Sequence, residues 1–263
     1  MIGQVQDGIE ACQDECDRLV AERDAFQTFL HYVRSINTVG TNSSSESAPN
    51  LSGIKHPTIT DSDPQDATLK SVLSGYKQTV QSLPHYRDEY DETLTESLSA
   101  ELGQDIATSL ATNNVLVPAT KRALVERSQQ AIDSRTNLLE AIATEIDALT
   151  DAQTDLEMIE TRKQKLRAHL ESVERNRSEA AFDVLCVLRD LESDVDTIAQ
   201  KRQERLQDPP VKVSETSTDR TNNTGFYVYL YSVEGVPRYP VLSAVAELGT
   251  AIQTEQDWIL KQL

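Results

Sequence analysis

Three cysteines are the first residues in this sequence that could do chemistry, and Cys12 and Cys16 lie four residues apart. On a helix this spacing places both thiols on one face. A structural zinc site takes four ligands, however, and Cys186 is the only further thiol. A disulfide between residues i and i+4 of a regular helix also has poor geometry. We therefore predict that Cys12 and Cys16 are small packing residues and not metal ligands.

The segment 84–92 is the second candidate, with the sequence Pro-His-Tyr-Arg-Asp-Glu-Tyr-Asp-Glu. On a helix, His85, Asp88 and Glu89 share one face and could hold a cation. Di-metal sites in helical bundles use Glu-x-x-His pairs, and no glutamate stands three residues before any of the four histidines. We interpret the segment as a solvated acidic helix face. A metal-dependent enzyme that uses these residues, or the cysteine pair, is kept as an alternative.

Motifs of the common enzyme classes do not occur: the chain lacks a glycine-rich phosphate loop, His-Glu-x-x-His and Gly-x-Ser-x-Gly. The few glycines and the lack of alternating strands and helices argue against a nucleotide-binding α/β core. We therefore predict that the protein is not an enzyme, with no catalytic residue, no metal site and no cofactor.

A basic cluster near the middle of the chain raises the possibility of binding to nucleic acid. Its members are Arg162, Lys163, Lys165, Arg167, Arg175 and Arg177. The formal net charge of -18 opposes such binding, because affinity for a duplex comes largely from Lys and Arg contacts to phosphate. Cations near a helix C-terminus and salt bridges such as Glu171 with Arg175 also account for the cluster. We prefer this structural interpretation and predict no nucleic-acid partner, with a DNA-binding basic tip as the alternative.

A helix or helices must position the basic cluster and Cys186, because residues 119–207 contain no proline and no glycine. Large apolar residues recur there at alternating steps of three and four, which is typical of a coiled-coil seam. The stripe consists of Ile132, Leu139, Ile142, Ile146, Leu149 and Leu156. Arg135 and Gln153 occupy the same seam, and we interpret them as register-setting or partly solvated positions rather than ligands.

A polar run at residues 174–178 predicts a turn with Ser178 as the N-cap of the next helix. The two arms, residues 119–173 and 179–207, would then form an antiparallel hairpin. One continuous helix is the alternative. The arms would span roughly 80 Å and 43 Å, so the shorter arm leaves half of the apolar stripe uncovered. Either the amphipathic helix predicted at residues 3–37 covers it, or the stripe is an interaction surface.

The predicted fold class is all-α, an elongated helical bundle built around a long antiparallel coiled-coil hairpin. Short helices are predicted at 65–83, 84–102 and 105–112, and a final helix at 240–263. Residues 226–233 alternate like a strand but have no second strand to pair with, so we expect a short helix or an irregular docked segment. The predicted regions are 1–38 (N-terminal helix), 39–64 (flexible linker), 65–118 (short helices), 119–207 (hairpin), 208–224 (linker) and 225–263 (C-terminal apolar segment and helix).

Composition indicates the environment. The chain has 43 acidic and 25 basic residues, and arginine exceeds lysine. Acidic surfaces of this kind keep a protein hydrated when molar salt screens charges. No window approaches the roughly 18 apolar residues of a membrane span, and the first thirty residues do not resemble a signal peptide. We predict a soluble cytoplasmic protein adapted to high salt, with an ordinary acidic coiled-coil protein as the alternative.

Three segments carry a resemblance to uncharacterised proteins of halophilic archaea. They are Glu-Arg-Asp-Ala-Phe-Gln-Thr-Phe at 22–29, the Pro-His-Tyr-x-x-x-Tyr-Asp-Glu run within 76–102, and Tyr-Leu-Tyr at 229–231 with Tyr-Pro-Val-Leu at 239–242. The resemblance implies an all-helical protein of a halophile, from a family without an assigned activity. It adds no catalytic residue. We predict a non-enzymatic coiled-coil protein that binds a protein partner or itself. The sequence does not specify a small-molecule ligand.

Overall fold

The computed structural model describes residues 2–36, 64–88, 93–112, 116–211 and 225–261, without the side chains of 64–68, 87 and 88. These ranges contain helices and no strand, which confirms the all-α prediction. The helices are α1 Gly3–Ser35, α2 Pro64–Thr79, α3 Pro84–Asp88, α4 Leu94–Leu102, α5 Gln104–Thr112, α6 Pro118–Ser172, α7 Arg177–Gln207, α8 Phe226–Leu230 and α9 Pro240–Leu260.

The long hairpin forms as predicted, and the alternative of one continuous helix is wrong. Helix α6 ends at Ser172 and α7 begins at Arg177. Asn176 adopts a left-handed conformation with φ of 56°, which asparagine tolerates better than most residues. The prediction of Ser178 as the N-cap is wrong, because Asn176 holds that position without a side-chain cap bond. The antiparallel pairing is visible where the Arg205 Nη2 donates to the carbonyl oxygen of Thr144 at 2.7 Å.

The helix predicted at 84–102 is interrupted. Thr93 has extended backbone angles, and its Oγ1 accepts a hydrogen bond from the backbone N–H of Glu96. The Glu96 carboxylate accepts in return from the backbone N–H of Thr93 at 2.9 Å. This reciprocal capping box satisfies N–H groups that only the first turn of a helix leaves unpaired. A new helix, α4, therefore starts after Thr93.

The C-terminal region confirms the expectation of a short helix at 226–233. Helix α8 covers five residues, and α9 follows with Pro240 in its first turn and packs against α7. A proline is well placed there, because the first turn does not need its missing N–H.

The described residues divide into two compact units. The first contains residues 2–17, 138–211 and 225–261, and the second contains residues 18–36, 64–88, 93–112 and 116–137. Fully buried leucines and isoleucines such as Leu149, Leu188 and Ile252 form the core of the first unit. The core of the second combines aliphatic residues with Phe26, Phe29, Tyr76 and Tyr86, and the rings of Phe29 and Tyr76 meet edge to face with 5.3 Å between centroids.

A lysine caps the end of α1 within the second unit. The Lys121 Nζ, from the first turn of α6, donates to the carbonyl oxygens of Arg34 at 2.9 Å and Ile36 at 2.5 Å. Carbonyls at a helix C-terminus lack partners within the helix and carry the negative end of its dipole. The contact therefore stabilises the end of α1 and fixes α6 against it.

Two helical glycines give a first test of this packing. A Cβ at Gly75 would lie 2.5 Å from the Tyr32 ring, whereas a Cβ at Gly249 would meet only Val195 at 4.0 Å. Alanine gains up to about 1 kcal/mol over glycine in a helix interior, and overpacking costs about 1–3 kcal/mol. We expect Gly249→Ala to raise the free energy of unfolding in urea titrations and Gly75→Ala to lower it. Equal stabilisation by both substitutions would contradict the close contact at Tyr32.

Candidate functional site: two buried Glu–Arg–Tyr clusters

A buried ion pair joins the two arms of the hairpin within the first unit. Glu145 of α6 is fully buried, and its carboxylate accepts hydrogen bonds from Arg202 of α7 at 2.6 Å and 3.1 Å. Arg205 Nε lies 3.6 Å from the same carboxylate, and the Tyr231 hydroxyl donates to its Oε1. This bidentate geometry is the strongest that arginine offers a carboxylate. We call these four residues the Glu145 cluster.

The electrostatics of the Glu145 cluster favour fixed charges. Burial works against the guanidinium charge of Arg202, but hydrogen bonding and Coulomb attraction from Glu145 outweigh it, so that its pKa is raised. Burial and then the charge of Glu145 raise the pKa of Tyr231 far above its ordinary value. The Arg202 guanidinium also lies 5.2 Å from the centroid of the Tyr227 ring, within cation–π range. The arginine therefore stays charged and the tyrosine keeps its proton.

Three alternate tyrosines tie α8 and the residue after it to three different helices. The Tyr227 hydroxyl donates to the carbonyl oxygen of Arg205 in α7 at 3.1 Å. The Tyr229 hydroxyl donates to Glu15 of α1, and the Tyr231 hydroxyl donates to Glu145 of α6. The alternating tyrosines that resembled a strand in the sequence thus lie in and just after a short helix, and each hydroxyl binds a different long helix.

The cysteines lie in three different environments. Cys12 is fully buried next to the Glu145 cluster, Cys16 is half-buried and Cys186 is exposed. Burial, followed by the charge of Glu145, raises the pKa of Cys12 to about 12. Cys12 is therefore a protonated packing thiol in the folded protein at neutral pH.

A second cluster lies in the second unit and is centred on Arg135. Its guanidinium donates to Glu22 of α1 at 2.7 Å and to Glu101 of α4 at 2.9 Å. Tyr86 of α3 donates its hydroxyl proton to Glu101 at 2.6 Å, and His85 Nε2 lies 2.8 Å from Glu22. We call these five residues the Arg135 cluster.

The two carboxylates of the Arg135 cluster keep the arginine charged despite its burial. Desolvation opposes the charge of Arg135, but Glu101 and Glu22 outweigh it and its pKa is raised. Burial, then Glu101 and Glu22, raise the pKa of Tyr86. The guanidinium of Arg135 lies 4.6 Å from the centroid of the Phe26 ring. The sequence placed Arg135 on the seam, and the structure shows which carboxylates it meets there.

The two clusters share one local arrangement. In each, a single carboxylate oxygen accepts from both an arginine and a tyrosine: Oε1 of Glu101 in one cluster and Oε1 of Glu145 in the other. General acid–base catalysis needs a group that exchanges its proton near the working pH. Charged arginines and protonated tyrosines that are held in fixed hydrogen bonds suit positioning better than proton transfer.

Sequence reasoning missed the Glu145 cluster, although a signal for part of it was present. Arg202 continues the buried series of α7 at steps of three and four, after Leu188, Leu191, Val195 and Ile198. An arginine on a buried seam needs an acidic partner. In an antiparallel hairpin with its turn near residue 174, Glu145 lies at the matching height of α6. The tyrosine partner has no such periodic signal.

The candidate cation site of the sequence analysis is only partly described. The structure places His85 against Glu22, whereas the Asp88 side chain and Glu89 lie outside the described residues. Within the described ranges, no group of three His, Cys, Asp or Glu residues converges closely enough to hold a metal ion.

The residues of the predicted basic tip do not form one free cationic surface. Lys163 pairs with Glu160 at 2.8 Å, and Arg167 pairs with Glu171 at 3.1 Å and with Glu255 at 3.2 Å. Glu171 thus pairs with Arg167 rather than with Arg175. The remaining members, Arg162, Lys165, Arg175 and Arg177, are exposed.

The predicted interaction stripe of α6 is covered by the chain's own packing. Ile132, Ile142, Leu149 and Leu156 are buried, and Leu139 and Ile146 are half-buried. On α7, by contrast, Phe182 is 63% exposed, because it lies on the side of the helix that faces away from its buried residues. Among the described helices, none combines the length and the apolar character that crossing a membrane requires.

The Glu145 cluster predicts a non-additive response to substitution. Arg202→Leu leaves a buried carboxylate without its main partner, and removal of one member of such a pair costs about 3–5 kcal/mol. We expect the double variant Glu145→Leu with Arg202→Leu to recover part of this loss, as measured by urea unfolding, because Tyr231 and Arg205 still lose their acceptor. Arg167→Leu, which breaks an exposed ion pair, is the control and should have a much smaller effect. Additive losses in the double variant would contradict an energetic coupling between Glu145 and Arg202.

Comparison with known proteins gives one match, to the family described as Domain of unknown function (DUF7260), over residues 3–256. No curated protein and no solved structure matches the chain. The match includes both Glu–Arg–Tyr clusters and the whole hairpin. This chain belongs to the DUF7260 family.

Proposed function

We propose that this protein is a non-enzymatic helical protein that binds a protein partner or a second copy of itself in a salt-rich cytoplasm. One observation carries the proposal: the charged side chains that converge inside the fold are paired with one another in the Glu145 and Arg135 clusters. Groups that are committed to internal ion pairs position helices. Their pairing therefore favours a structural role for these groups over a catalytic one.

The surface charge supports the cellular setting of this proposal. The acidic surface groups of a protein with a net charge of -18 repel one another in dilute buffer. At 1 M salt this repulsion is screened within about 3 Å. The resemblance of segments 22–29 and 229–231 to proteins of halophilic archaea points in the same direction. A salt-rich cytoplasm would therefore provide the conditions under which two such acidic surfaces approach each other.

Capture from a native lysate in KCl of about 1 M tests the binding role. We expect the tagged protein to retain one protein, or an untagged copy of itself, in near-equal amount. The double variant Glu145→Leu with Arg202→Leu is the control for the internal clusters, because it changes the interior of the protein and leaves its surface as it is. It should retain the same partner. A protein that stays monomeric in light scattering and retains nothing would refute the proposal.

A second candidate is a regulatory or nucleoid-associated protein that contacts DNA through the basic tip. The favouring observation is that Arg162 and Lys165 are exposed on one face of α6, with Arg175 exposed at the turn. Each lost phosphate contact lowers the slope of log affinity against log salt by about 0.9. The charge reversal of Arg162 and Lys165 should therefore lower the slope by roughly 2 in a duplex-binding titration, if this candidate holds. Glu160→Lys, which adds positive charge nearby, is the opposite control, and an unchanged slope in both variants excludes the tip.

A further inference from the structure

Helix α7 carries a second stripe on the side that faces away from its buried face. It consists of Glu179, Phe182, Cys186 and Arg189, at steps of three, four and three residues. All four side chains are exposed. Phe182, at 63%, is the most exposed large apolar side chain in the described part of the chain. We call these four residues the outer stripe.

The position of the outer stripe follows from the burial of the rest of α7. Leu188, Leu191, Val195 and Ile198 are turned inward, and α9 packs on this side of the helix. The outer stripe has coiled-coil spacing but lies on the opposite side. Arg189 also lies close enough to Glu192 to contribute, after hydrogen bonds from Gln253 and Gln256, to the lowered pKa of that carboxyl. The stripe therefore combines an unpacked aromatic side chain with two exposed charges of opposite sign.

The order of residue types makes the outer stripe complementary to itself in one direction only. Read along the helix it runs acid, apolar, apolar, base. Two antiparallel copies place Glu179 opposite Arg189 at both ends and Phe182 opposite Cys186 at both inner positions. Two parallel copies would place Glu179 opposite Glu179 and Arg189 opposite Arg189, which like-charge repulsion disfavours.

We propose that α7 docks through the outer stripe against the same stripe of a second copy of this chain, in an antiparallel two-fold contact. This names the partner for the binding role proposed above and rests on that role. A two-fold contact is isologous, so that each residue pair occurs twice, and it closes at a dimer. The contact is small, with one large apolar side chain from each copy, and such interfaces exchange rapidly. The dimer should therefore depend strongly on protein concentration.

Sedimentation velocity over a series of protein concentrations tests the apolar part. Phe182→Ser removes the central aromatic side chain and should raise the dissociation constant of the dimer by about tenfold or more. Met158→Ser is the matched control, because Met158 is 59% exposed on α6 and lies outside the stripe. It should leave the dissociation constant unchanged. Equal weakening by both substitutions would show that general surface hydrophobicity, and not this stripe, drives the association.

Charge exchange tests the antiparallel register. Glu179→Arg alone and Arg189→Glu alone each place like charges opposite one another, and each variant should be monomeric where the natural protein is a dimer. A one-to-one mixture of the two variants should dimerise again, because every facing pair in the mixed dimer is then oppositely charged. The doubly exchanged variant should also dimerise. Glu126→Arg, at an exposed position of α6 in the second unit, is the control for net charge.

The outcome separates this inference from the proposed function. The rescue by mixing should weaken as KCl rises from about 0.15 M towards 1 M, since the screening length falls from about 8 Å to about 3 Å. If the charge exchanges do not change the dissociation constant of the dimer, the outer stripe is not the contact, but the protein still binds itself. A strict monomer that captures another protein overturns the stripe and keeps the partner role. A strict monomer that captures nothing overturns both.

Discussion

The burial of arginine on otherwise apolar helix seams is the constraint on which the rest of this structure depends. A guanidinium cannot lose its charge at physiological pH, so its removal from water requires carboxylates at a fixed distance and direction. Arg135 obtains them from α1 and α4, and Arg202 obtains one from α6. Each requirement admits few relative positions of the helices involved. Apolar stripes alone would allow the same helices to slide by a heptad at little cost.

The tyrosines belong to the same constraint. A carboxylate with two oxygens has more acceptor capacity than one arginine can fill. Tyr86 and Tyr231 occupy part of the remainder, and each brings an aromatic body into the core with its hydroxyl. The short helices α3 and α8 have too few residues to be stable alone. Their place in the fold is set by the hydroxyl groups they deliver to Glu101 and Glu145.

The sequence was sufficient for the features that repeat along the chain. The proline-free run and the seam steps located α6 and α7, and the polar run at residues 174–178 located the turn between them. The break at Thr93 was missed because its signal is the short local pattern from Thr93 to Glu96 and not a periodic one. The sequence predicted the seam position of Arg135 but not its partners, since Glu22, Glu101 and Arg135 are up to 113 residues apart in the chain. The meeting of these three residues depends on the packing of α1, α4 and α6, which no single helix pattern specifies.

The contact between Tyr229 and Glu15 has a consequence for how the chain folds during synthesis. These two residues are separated by 214 positions, and residues 2–17 complete the same unit as residues 225–261. A ribosome releases the first segment long before it makes the last. The apolar face of the beginning of α1 therefore remains exposed to water until residues 225–261 are synthesised. Residues 18–137, by contrast, can contact most of their neighbours early. The order of synthesis thus favours completion of the second unit first, and the contacts between the beginning of α1 and residues 225–261 close last.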